Sequence, residues 1–173
     1  AEWRAQVDAF THAVGREPDF VDGHQHVHAL PGVREAVLAD IATWRRRPAL
    51  RNTGRVLGPG AVLKRLAIEA FGGRGLQRRL VAARLPHNRA LLGAYDFRAP
   101  DYRALVQAWL AHAPQEGGLL FCHPCATAPP GEPIAAARRR EALYLDSDAF
   151  AADLAAAQVT LGAAWAPRSS SGD

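Results

Sequence analysis

The stretch Phe20-Val21-Asp22-Gly23-His24-Gln25-His26-Val27-His28 decides how the chain is read. Pro18 on one side and Pro31-Gly32 on the other bound it as a strand. Side chains on a strand alternate faces with period two, so Asp22, His24, His26 and His28 are expected on one side. Three imidazoles and a carboxylate so close together suit a divalent metal. Neutral imidazole nitrogen is a ligand for zinc and related ions, and a carboxylate can ligate or orient a histidine. Successive same-side positions rise by about 6.5–7 Å, too far for one ion to take all four. The expected arrangement is one ligand near the strand's end, with the other histidines lining a cleft.

Working outward, short apolar runs alternate with helical stretches. Residues 31–46 read as a helix, with Val33, Val37, Leu38 and Ile41 on one side and Pro31 suited to its first turn. Residues 60–83 read as a longer helix, broken or bent by Gly72-Gly73 and Gly75. Residues 100–113, 132–145 and 147–157 complete the helices, with Ser147 expected as an N-cap. Strands are expected at 49–52, 90–97, 118–123 and 159–165. The tail 167–173 reads as disordered. Strands alternating with helices argue for βα units and a parallel sheet, an α/β architecture in one domain over 1–166. Five strands are too few for a closed barrel, which takes eight.

The 173 residues are 49% hydrophobic and 22% charged, an ordinary globular composition that excludes a disordered chain or a disulfide-stapled miniprotein. Apolar runs stop well short of the roughly 20 residues of a membrane span, and no secretory leader is visible. The formal charge is +4, and of 21 basic residues only Lys64 is a lysine. The arginines are dispersed without interleaved aromatics, so solvated helix faces are expected rather than a nucleic-acid platform. Two cysteines make no disulfide framework, and a reducing, cytoplasmic compartment is the default.

A second signal is Phe121-Cys122-His123-Pro124-Cys125, where an apolar strand runs out into a Pro- and Gly-rich loop. α/β folds put their chemistry at that place. A redox Cys-x-x-Cys would need the first cysteine to open a helix, and the following residues do not start one. Zinc held by Cys122 and Cys125 with histidines is the other reading, without a second cysteine pair to support it. Arg51 ends the short strand Ala49-Leu50 and could bind an anion or a carbonyl oxygen there. His12, His87 and His112 are isolated and read as surface.

Taken together, Gly15-Arg16-Glu17-Pro18, the Asp-x-His-x-His-x-His run 22–28, Ala49-Leu50-Arg51-Asn52, Asn88, Gly93 to Phe97, Leu120 to Pro124, Arg139 and Glu141-Ala142-Leu143 resemble the YdjC-like carbohydrate deacetylase family. The middle segment resembles the hopanoid-biosynthesis-associated (HpnK) branch more than the chitooligosaccharide deacetylase (ChbG) branch. The resemblance implies an incomplete (β/α) barrel and a metal-dependent N-deacetylase acting on acetylated amino sugars. It implies a divalent ion, Zn or Mg, with His24 as one ligand. The family's other two ligands, an aspartate of an Ala-Asp-Asp motif and a further histidine, have no counterpart here. The chain is therefore expected to be a C-terminal portion lacking the first strands, weak or inactive alone. Under this resemblance His123 is the candidate general acid and Asp22 a catalytic or orienting carboxylate. Arg51, His26 and His28 are candidate substrate contacts. Cys125 departs from the small residue usual after His-Pro. Two other readings stay open: a non-catalytic truncated barrel that pairs as a homodimer through its open edge, and a different metal hydrolase using the histidine cluster.

Overall fold

The computed structural model describes residues 2–129, 131–163 and 165. The order is α1 (Glu2–Val14), β1 (Phe20–Val21), a 3-10 turn (His24–Ala29), α2 (Val33–Ile41), β2 (Ala49–Leu50) and α3 (Val62–Ile68). A π-helical segment (Glu69–Gly73) leads into α4 (Arg74–Ala82), followed by β3 (Ala90–Leu92), α5 (Tyr102–Ala111), β4 (Gly118–Leu120), α6 (Ala135–Leu145) and α7 (Asp148–Ala156). The α/β alternation holds, and every strand pairing is parallel.

A barrel is not shown among the described residues, and regular strand pairing there is short. There are two two-stranded sheets, β1-β2 and β3-β4. Two isolated parallel bridges, Leu50 with His87 and Val56 with Leu91, link them. Between those bridges two buried side-chain amides replace the ladder. Asn52 N–H donates to Asn88 Oδ1 at 2.7 Å, and Asn88 Nδ2 donates to the Asn52 carbonyl at 3.0 Å. Buried backbone groups need partners, and the two asparagines supply them where the strands diverge.

The expected strand over 20–28 is only two residues long. After Val21 the chain turns, with Gln25 and His26 in left-handed conformation at φ 50° and 64°. The cause is His28. Its ring is buried between Gly23 N–H, which donates to Nδ1 at 3.0 Å, and the Arg51 carbonyl, 2.8 Å from Nε2. Both bonds draw the segment into a loop that an extended chain could not close. A Cβ on Gly23 would sit 2.6 Å from His28 Nδ1, so only glycine fits there. The last expected strand also fails: residues 159–163 are irregular. The expected disordered tail lies outside the described residues.

Two apolar clusters flank the sheets. One joins Val21 and Leu50 to Val37 and Ile41 of α2 and Leu76 and Leu80 of α4. The other joins Leu92 and Tyr95 to Tyr102, Val106 and Trp109 of α5 and Tyr144 of α6. Helix α1 buries no residue of its own. It attaches through Trp3, whose indole N–H donates to Asp40 at 2.8 Å and whose ring stacks on Trp44. Among the described residues no helix is long and apolar enough to cross a membrane.

Candidate active site

Each strand delivers a polar or aromatic group just past its C-terminal end. Asp22 follows β1, Arg51 follows β2, Phe97 lies beyond β3, and Phe121 and His123 follow β4. Parallel α/β sheets place chemistry at this edge, where loops leave the strands and backbone groups are free. Close approach of the two right-hand strands depends on Gly93. Its φ is 103°, and a Cβ there would lie 2.2 Å from the Phe121 carbonyl.

Arg51 is the centre of the arrangement, with only 6% of its surface exposed. Its Nη2 sits 2.7 Å from Asp22 Oδ1 and donates to the Gly23 carbonyl at 2.9 Å. The guanidinium lies 5.8 Å from the centre of the Phe121 ring. Asp22 stays partly open to solvent. Burial raises its carboxyl above the ordinary range, and Arg51 acts against that rise. His26 meets the edge of Phe121 at 5.9 Å. Burial is the first cause that pushes its imidazole down to about 4, with Arg51 adding to it.

His123 packs edge-on against Phe121 at 5.6 Å and Phe97 at 5.1 Å. Phe97 has a φ of 66°, an uncommon conformation for an aromatic residue, which turns its ring toward His123 and Lys64. Burial lowers the His123 imidazole, and the Glu141 carboxylate partly offsets the fall. Lys64 reaches in from α3, donating to the Tyr95 carbonyl at 2.8 Å and lying 4.6 Å over Phe97. Burial depresses its ammonium as well.

The structure thus brings Asp22, His26, Arg51 and His123 around Phe121 and separates them from two other predicted residues. His28 spends both ring nitrogens on backbone and has none left for a ligand. His24 is exposed on the turn, near enough to Asp22 to lower that carboxyl. Three contributors escaped the sequence reading: Lys64, Phe97 and Glu141. For Lys64 a signal existed, because it is the single lysine among 21 basic residues. Phe97 and Glu141 lie in stretches that carry the family resemblance, which gave them no role. Cys122 and Cys125 are free thiols, and burial pushes Cys122 up, away from reactivity. His12 is exposed, His87 and His112 bond to nearby carbonyls, and Asp96 accepts from Arg98 N–H in a local turn.

No group of three His, Cys, Asp or Glu side chains among the described residues is placed to hold a metal ion. A catalytic zinc takes three protein ligands and an open position. The described residues do not amount to that set. Two concavities lie elsewhere, one beside Tyr102 and Arg140, the other between β4 and residues 157–163 with Trp165. Neither is lined by Asp22, Arg51 or His123.

A family model described as YdjC-like protein matches residues 1–156. Carbohydrate deacetylases of Mus musculus, Danio rerio and Homo sapiens are 47%, 52% and 44% identical to the chain over 57, 52 and 57 residues. Those stretches cover 31%, 28% and 31% of this chain and 18%, 17% and 18% of the relatives. The matched part is therefore under a fifth of each relative's length. No solved structure matches the chain. The family match runs from the first residue to the end of α7 and takes in every strand that carries a site residue, so the chain belongs to the YdjC-like protein family.

Proposed function

We propose that these residues serve a hydrolase that removes the acetyl group from an N-acetylated amino sugar, glycolipid-borne sugars included. The observation that carries the reading is the gathering of Asp22, Arg51 and His123 at the ends of parallel strands, in a chain of this family. Water adds to the acetamide carbonyl, the C–N bond breaks, and the products are acetate and a free amine. The departing nitrogen needs a proton, and His123 is the group assigned to give it. Burial lowers that imidazole, and the Glu141 carboxylate beside it acts to keep the ring able to carry a proton. Arg51, fixed by Asp22, is assigned to hold the sugar or the acyl oxygen, with His26 beside it. His24 is assigned as one donor to a divalent ion, Zn or Mg, as the family resemblance implies. The free thiols fit a reducing compartment, and the cytoplasm is the proposed location.

Within the family, the 88–97 segment favours the hopanoid-associated branch as the source of the substrate. The test is acetate release from N-acetylated amino sugars by the complete natural chain that carries these residues, with Zn²⁺ or Mg²⁺ supplied. Release is expected, and His123→Gln is expected to cut it by about 10²–10⁴-fold. Chelation is expected to remove it. No release from any acetylated amino sugar, or full release by H123Q, overturns the assignment.

A further inference from the structure

The carboxylate beside His123 makes contacts beyond its place near the ring. Glu141 on α6 is 0% exposed, yet it touches the loop that carries His123. Its Oε2 accepts from the His123 backbone N–H, and its Oε1 accepts from the Tyr95 hydroxyl. One helical turn earlier, Arg138 Nε donates to the His123 carbonyl at 2.9 Å. Residues three apart share a helix face. The same face of α6 therefore grips both polar groups of the His123 main chain. The ring is involved too. His123 Nδ1 is buried without a hydrogen bond, 4.0 Å from Glu141 Oε1.

We infer that Glu141 is a positioning residue that fixes the His123 loop and keeps the His123 imidazole basic enough to hold a proton. This rests on His123 as the proton donor of the proposed reaction. A modest rotation of the ring brings Nδ1–H onto Glu141 Oε1 and leaves Nε2 to face the departing amine. Such a base-orienter pair is the general logic of histidine catalysis. The other groups facing the ring work against protonation. Lys64 from α3, Arg51 from the end of β2 and Arg138 from α6 are all cationic, and His26 lies across Phe121. Among the described residues, Glu141 is the carboxylate set against them. Tyr95 remains a donor at all working pH, because burial and Glu141 hold its phenol far above the ordinary value.

The test is an NMR titration of His123 in the natural protein and in Glu141→Gln, which changes the charge and keeps the shape. The His123 pKa is expected to fall by about one unit in E141Q, the usual effect of losing a near opposite charge. The alkaline limb of the acetate-release profile is expected to move down by the same amount. Tyr95→Phe is the second arm. It frees a lone pair on Glu141, so the His123 pKa is expected to rise. This arm decides the question if E141Q does not fold. An unchanged His123 titration in the folded variants overturns the inference. A shifted titration with no acetate release in the natural protein upholds the coupling and defeats the deacetylase reading instead.

Discussion

His28 is held in a single neutral form. Gly23 N–H occupies Nδ1, so the ring proton sits on Nε2 and points at the Arg51 carbonyl. A second proton on Nδ1 would face the Gly23 donor. Burial, the largest cause, lowers the imidazole below its ordinary value. The unfolded ring therefore takes its proton first as the pH falls. The stability contributed by neutral His28 is whole above about pH 6.5 and is lost as the pH drops toward the depressed folded value. Urea midpoints are expected to be lower at pH 5 than at pH 7.5. His28→Leu is expected to shrink that difference, and His26 and His123, shifted the same way, keep part of it. At pH 7.5 the same substitution leaves the buried Arg51 carbonyl and the half-buried Gly23 N–H without their partner, at a cost of about 1–3 kcal/mol for the buried group. An identical pH slope in H28L would mean the ring is not a buried neutral base. The residue types at this site were legible in the sequence, because Asp22, Arg51 and His123 each follow an apolar run. The roles of the histidines were not. Period two holds only while the chain stays extended, and the two hydrogen bonds of His28 end that extension at Gly23.

The helices repeat the lesson at the next scale. Leu76 and Leu80 of α4 are one turn apart and fully buried against the β1-β2 cluster. Removing the Leu80 side chain leaves a void between α4 and the sheet. Leu80→Ala is expected to cost about 2–5 kcal/mol in chemical denaturation. Val81→Ala, on the exposed face of the same helix, is expected to change stability by less than about 0.5 kcal/mol. Equal effects at the two positions would mean that α4 does not pack as described. Such apolar spacing is why the interiors of α2 and α5 could be read in advance, whereas Leu76 and Leu80 of α4 were not picked out. The break at Gly72-Gly73 was read as well, and it occurs as the π segment with Gly72 at φ 124°. Ser147 stands at the expected N-cap position, although its hydroxyl turns back to the Tyr144 carbonyl at 2.6 Å. Helix α1 gave no comparable signal, since it buries nothing and docks through Trp3 and Arg4 on Asp40. Strands of two or three residues are too short for alternation to define, and their lengths were overestimated throughout.

At the scale of the molecule, the strands pair in chain order and leave β1 and β4 as outer edges among the described residues. Open edges present unpaired N–H and C=O groups and invite pairing with another chain. Here the segment after α7 runs between them. Residues 157–163 line a cavity of about 860 Å³ against β4, and Trp165 stacks on Phe20 of β1 at 4.2 Å. Among the described residues no strand pairing ties 159–163 to either edge, and the stack of Trp165 on Phe20 is the attachment to β1 seen there. A seal this thin opens easily, because a segment with few buried contacts sits at the low end of local stability. The sedimentation coefficient is therefore expected to rise with protein concentration. Trp165→Ala is expected to steepen that rise by freeing the β1 edge. Charge offers little resistance, since a net +4 is spread over dispersed arginines rather than focused at the strands. A single, concentration-independent species for both the natural chain and W165A would show that the edges are protected by something other than this stack.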